Sequence, residues 1–147
     1  MPTQAKWYFD FVSPFAYLQF QRLDSVPSAL DYEMVPVLFA GLLKHWKHKG
    51  PAEIRPKRLD TYRHCQWLAD RLGVPFQVPQ AHPFNPLPYL RLCLSLGTSR
   101  ELVGAIFSYL WTEGAPAHTE SGIAELANRL GVENLAEQLD SPSVKQQ

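Results

Sequence analysis

Cysteine is scarce in this chain: its 147 residues hold two, Cys65 and Cys93, which form no CxxC pair and no metal-ligand cluster. Neither a disulfide framework nor a zinc site is available to organise the fold. No apolar run approaches the roughly 20 residues that span a bilayer, which excludes a membrane helix. Net charge is absent too, with Lys+Arg 14 against Asp+Glu 14, and this argues against a general nucleic-acid binder with a large positive field. Met1 to Lys6 shows no charged segment leading into an apolar one, so no secretory signal is read there. A reducing compartment, most simply the cytoplasm, is the expectation. There is no GxxxxGK loop to cradle phosphates and no GxSxG elbow for a hydrolase serine. Internal repeats and low-complexity tracts are missing as well.

What is present is a core. Hydrophobic residues make up 46% of the chain and charged residues 19%, enough apolar material for one ordinary domain. Residues 5–12, Ala-Lys-Trp-Tyr-Phe-Asp-Phe-Val, are dense in aromatics and predict a buried strand. Ser13-Pro14 follows, an N-cap residue and then the residue favoured at the first helical position, so a helix is expected to open here and close near Val26-Pro27. Residues 31–38 alternate as a second strand, with Pro36 limiting it to an edge or a distorted end. From there the pattern is helical. Helices are expected over Phe39–Trp46 and from Ala52 or Pro56 to Leu72, the latter burying Leu59, Tyr62, Cys65, Ala69 and Leu72 and stopping at Gly73. The five prolines of Pro75–Pro88 predict an extended surface loop. Further helices are expected over Leu87–Leu96, after a Thr98–Glu101 capping box, after Thr119 or Ser121 up to Gly131, and over Glu133–Leu139.

The order is therefore β-α-β followed by a block of helices: an α/β chain. Residues 1–44 read as the β-α-β part, 45–140 as a helical insertion, and 141–147 as the start of a return to the first part. Two strands alone make a marginal sheet, and a parallel pair needs cover on both faces. Ser141-Pro142 opens a helix with little room before Gln147.

Charge is unevenly spread. Between Lys44 and Leu72 eight basic residues face three acidic ones, whereas from Arg100 onward seven acidic residues face three basic ones. Solvated helix faces explain this most simply; the sharper reading is an anion site between Lys44 and Arg58 for a small carboxylate ligand. Ser13 is the residue singled out for chemistry, because a hydroxyl between strand end and helix start lies where the helix dipole stabilises anions, a thiolate included. Taken alone, a serine before proline is an N-cap.

The run Trp7-Tyr8-Phe9-Asp10-Phe11-Val12-Ser13-Pro14-Phe15-Ala16-Tyr17-Leu18 resembles the opening of the 2-hydroxychromene-2-carboxylate isomerases and kappa-class glutathione transferases, relatives of DsbA in the thioredoxin-like group. The resemblance continues through Pro36–Leu43, Lys49-Gly50-Pro51-Ala52, Pro56-Lys57, Leu72–Phe76 and Phe84-Asn85-Pro86-Leu87. It implies a thioredoxin-like fold with a large helical insertion and bound glutathione as cofactor. Ser13 then stands where thioredoxins carry a redox cysteine, and its hydroxyl stabilises the glutathione thiolate. In the isomerase that sulfur adds to a small aromatic substrate, 2-hydroxychromene-2-carboxylate, and leaves after ring opening to give trans-o-hydroxybenzylidenepyruvate.

The resemblance also carries over Lys57, as a carboxylate binder, and Asn85 with Pro86 near the site. His48 stands where many relatives have an asparagine, a departure that makes the site pH-sensitive and admits another substrate. The remaining histidines, His45, His64, His82 and His118, show no metal spacing and read as structural or surface residues. Ser13-Pro14-Phe15-Ala16 lacks both cysteines of a CxxC, which weighs against a DsbA-like oxidoreductase. Family members run on into two more strands and a final helix around a cis-proline segment, beyond the sequence given. The sequence is then either a fragment or completes its sheet through a partner, as in a homodimer. Three readings follow: the isomerase, a kappa-like transferase, and a non-catalytic homologue acting by association.

Overall fold

A computed structural model describes residues 3–25 and 30–145. Strand β1 (Thr3–Phe9) leads into helix α1 (Pro14–Phe20), a 3-10 turn (Leu23–Ser25) and strand β2 (Leu30–Pro36). Helix α2 (Phe39–His45), a second 3-10 turn (Pro51–Glu53) and the long α3 (Arg55–Leu72) follow. The remainder is α4 (Leu87–Ser95), α5 (Arg100–Trp111), α6 (Glu120–Arg129), α7 (Leu135–Asp140) and α8 (Pro142–Lys145). The expected close of the first helix at Val26-Pro27 lies outside the described residues; α1 itself stops at Phe20.

Among the described residues the sheet has two strands, β1 and β2, paired in parallel with Trp7 opposite Met34 and Phe9 opposite Pro36. Both end sooner than their hydrophobicity suggests. The Val37 amide donates to the Phe9 carbonyl at 2.8 Å, the last rung. Beyond it the Asp10 carboxylate takes the Val12 and Phe39 amides (3.2 and 2.8 Å), so the chain turns away from the sheet. Phe11 and Val12 belong to this turn.

Alternation along β1 sends Trp7 and Phe9 to one face. There they meet an aromatic cluster: Phe107 of α5 lies 5.8 Å from Phe9, 4.9 Å from Phe11 and 5.5 Å from Phe20 between ring centroids. Gly104 lets α5 come this close, since a Cβ there would stand 3.2 Å from the Phe20 ring. One core runs on from these residues through Leu90, Leu92, Val103, Ile106, Leu110 and Trp111. The β-α-β unit and the helices after it share that core.

Helix caps follow the local chemistry. Gly73 adopts φ 66° at the end of α3 and Gly131 φ 72° after α6, the left-handed stops the sequence predicts. Thr119 caps α6 through the Gly122 amide. The Thr98–Glu101 box does not form: Thr98 sits at φ 50° and closes α4, while Ser99 caps α5 by accepting from Leu102. The predicted face of α3 is also narrower than expected. Cys65 and Ala69 are buried and Tyr62 is half-buried, but Leu59 and Leu72 are 46% and 38% exposed and lie outside the core that Cys65 and Ala69 join.

Phe107→Ala removes the ring shared by Phe9, Phe11 and Phe20, and a loss of about 3–5 kcal/mol in unfolding free energy is expected from urea denaturation. A loss under about 1 kcal/mol would show that the cluster does not hold the sheet to α5.

Candidate active site

The site is a cavity of about 480 Å³ at the C-terminal ends of the two strands. Val12 to Phe15 form one wall and the Leu38–Leu43 segment another. Arg58, Thr61 and Tyr62 of α3 supply a third, and His82 to Pro86 close it. The proline-rich loop is thus more than a surface crossing, since Phe84 and Pro86 are buried. The lining is largely apolar, with a few polar groups placed in it, the usual composition of a small-molecule site.

Ser13 lies on this cavity as the N-cap of α1, with Pro14 at the first helical position. Its Oγ accepts the Ala16 amide at 3.2 Å. Among the described residues the hydroxyl proton has no protein acceptor, so it can be donated to an anion in the cavity. The backbone leading to Ser13 is held on every side. The Ser13 amide donates to the Asp10 carbonyl at 3.1 Å. Trp111 Nε1 donates to the Phe11 carbonyl at 2.8 Å, and His82 Nε2 to the Val12 carbonyl at 2.7 Å. Because a carbonyl can only accept, His82 carries its proton on Nε2. Nδ1 then accepts from the Tyr62 hydroxyl at 2.6 Å.

Two titrations accompany this geometry. Asp10 is 3% exposed, and burial pushes its carboxyl up to about 6 despite the amides of Phe39, Val12 and Phe11 that favour the charged form. Burial lowers His82 most; the Val12 carbonyl opposes this and the nearby Arg58 charge adds to it. Cys65 and Cys93 are buried free thiols pushed up to about 12 by desolvation, and neither lines the cavity. Any thiolate acting there has to arrive with a ligand.

Of the residues proposed from the sequence, Ser13, Asn85 and Pro86 come together on the cavity, with Asn85 Oδ1 accepting the Leu87 amide at 3.1 Å. His48 and Lys57 are exposed and outside the lining. Lys57 falls off the stripe that Arg58, Thr61 and Tyr62 present, at i, i+3 and i+4. Sequence reasoning passed over Asp10 and Tyr62 as site residues, and reached Arg58 only as the end of the Lys44–Arg58 anion segment. Spacing along α3 could have singled out Arg58 and Tyr62, whereas Asp10 needed the fold. His82 was read as structural or surface, and it is the structural kind. No group of three metal-binding side chains occurs among the described residues.

A parallel β-α-β unit with a cavity at its first strand-to-helix turn and a helical block after it is the arrangement of a thioredoxin-like protein with a helical insertion. The chain belongs to the family of DsbA-like thioredoxin domains, whose model matches residues 5–147. It is 28% identical over 163 residues to glutathione S-transferase kappa 2 of Caenorhabditis elegans, covering 99% of this chain and 72% of that protein. Its fold matches a solved 2-hydroxychromene-2-carboxylate isomerase with a TM-score of 0.77 at 22% identity, over 98% of this chain and 74% of that one. It also matches the cytosolic disulfide reductase DsbM of Pseudomonas aeruginosa, solved with glutathione, with a TM-score of 0.64 at 15% identity over 98% and 75% of the two chains. No helix among the described residues is long and apolar enough to cross a membrane.

Carbon-detected NMR should place the Asp10 carboxyl midpoint near 6, where an exposed aspartate titrates near about 4. The folded value is raised, so its contribution to stability is full below about pH 4 and is lost as pH rises toward 6; Asp10→Asn removes that slope. His82 has the opposite sign. Its folded value is depressed, so stability present above about pH 6.5 is lost on acidification. A His82 ring signal that titrates like an exposed histidine would contradict the buried hydrogen-bonded tautomer.

Proposed function

We propose that the protein is a glutathione-dependent isomerase interconverting 2-hydroxychromene-2-carboxylate and trans-o-hydroxybenzylidenepyruvate, acting in aromatic catabolism in the cytoplasm. The observation that carries this reading is the Ser13 hydroxyl, which lines an apolar cavity and has no protein acceptor for its proton among the described residues, in a chain whose own two thiols are buried and inert. The kappa transferase relative supports glutathione as the bound thiol, and the match to an isomerase supports the fold on which this reading is built.

Bound glutathione supplies a sulfur nucleophile that is also a good leaving group at neutral pH. Ser13 holds the negative charge on that sulfur by a charge-assisted hydrogen bond. Its Oγ is already held by the Ala16 amide, so the oxygen is positioned before the ligand arrives and its proton is left to donate. The side chains of Phe15, Phe39 and Leu43 keep water away from the sulfur and shelter an aromatic ring. Asn85 and Pro86 line the same cavity as Ser13. Lys57, exposed outside the lining, serves as an outer contact for a carboxylate of glutathione, and His48, in the place of an asparagine that orients the thiol in relatives, is exposed as well and stands outside the reacting centre.

The kappa-like transferase is the second reading, favoured by the identity to a kappa enzyme. The two share Ser13 and differ in the electrophile. Purified protein with glutathione should convert the chromene; conjugation of a chloroaromatic acceptor in its place selects the transferase. A cooperatively folded protein that binds no glutathione in calorimetry selects a third role, association through the open sheet with a second copy. Ser13→Ala should raise the pKa of bound glutathione, read by thiolate absorbance, and slow turnover by about 10²–10⁴-fold. An unchanged rate across neutral pH would remove Ser13 from the mechanism.

A further inference from the structure

The basic segment from Lys44 to Arg71 contains none of the ion pairs found among the described residues, all of which involve Lys6, Arg100, Arg129 or Lys145. On most of its length this means solvated charge. Arg58 is different. It is half-buried, it lies on the wall of the Ser13 cavity, and its charge reaches both Tyr62 on the same helix and His82 in the segment that closes the cavity. Its backbone amide continues the helix to Ile54 at 2.9 Å, while among the described residues its guanidinium donates no hydrogen bond and meets no carboxylate. A guanidinium at an apolar wall with its fork unused is set up for a planar two-oxygen acceptor.

We propose that Arg58, and not the adjacent Lys57, is the specificity-determining residue of the cavity, receiving the carboxylate of a small ligand whose apolar body lies between Phe15, Phe39 and Leu43. The proposal rests on the reading of this cavity as the ligand site and adds the residue that selects the ligand's charge. A singly charged carboxylate fits better than a phosphate. Glu53 lies on the same lining with its carboxylate accepting the Gly50 amide at 2.7 Å, so a second negative charge on the ligand would be opposed. Lys57 is exposed outside the lining, and its ammonium is a hydrated point charge without the fork geometry. The apolar walls recognise the body of the ligand, and Arg58 separates an acid from its neutral analogue.

Calorimetry without glutathione tests this, using trans-cinnamate and its neutral counterpart trans-cinnamamide as probes. The protein should prefer the acid by about 10-fold or more, the range for a hydrogen bond to a charged group. Arg58→Gln should erase the preference while leaving cinnamamide binding in place, which also reports an intact cavity. Lys57→Gln should keep the preference. Equal affinity for both probes, a preference that survives Arg58→Gln, or its loss in Lys57→Gln overturns the assignment, as does failure of either probe to bind. No glutathione is present, so the preference stands even if the protein proves not to bind that thiol. Glutathione binding with no cinnamate preference overturns the role of Arg58 alone.

Discussion

The turn from Asp10 to Ser13 satisfies little of its own backbone. Two of its carbonyls are met by ring N–H groups from far along the chain, Trp111 on Phe11 and His82 on Val12. The amide of Val12 is met by the Asp10 carboxylate, whose other oxygen holds Phe39 at the start of α2. Leaving a buried polar group unpaired costs about 1–3 kcal/mol, so each of these bonds constrains the turn firmly. Ser13 is therefore placed by α5, by the proline-rich loop and by the second strand crossing at once. The cavity forms where the turn meets the proline-rich loop, the segment after β2 and α3.

That arrangement decides which groups can be charged. Burial prevails over the amide hydrogen bonds at Asp10 and leaves its carboxyl near 6, and it keeps both cysteines protonated. A thioredoxin-like turn with serine in it cannot cycle between thiol and disulfide; it can hold an anion that something else brings. Positive charge enters the cavity from one residue of the basic segment because α3 presents Arg58, Thr61 and Tyr62 inward and turns Lys57 toward solvent. The acidic C-terminal half is settled separately, through Arg129 bridging Glu113 and Glu125 on the surface.

Much of this was legible in the chain because it depends on near neighbours. Ser13-Pro14 announces an N-cap and a first helical proline, Gly73 and Gly131 announce left-handed stops, and the aromatic run of β1 announces a buried strand. Each rests on steric or hydrogen-bonding preferences that act within a few residues. The misplacements have the same logic in reverse. Thr98 has the chemistry of a helix cap but is taken by the C-terminus of the preceding helix, and Leu59 and Leu72 keep the period of a buried face but stay outside the core.

Local chemistry in the chain thus specified the elements, the capped position of Ser13, and the scarcity of usable thiol. Long-range packing chose the partners: Trp111 and His82 act on the turn from 100 and 70 residues away. It also placed Asp10 between two loops and selected Arg58 over Lys57. Those outcomes depend on which surfaces the shared core brings face to face, and no short-range pattern encodes that.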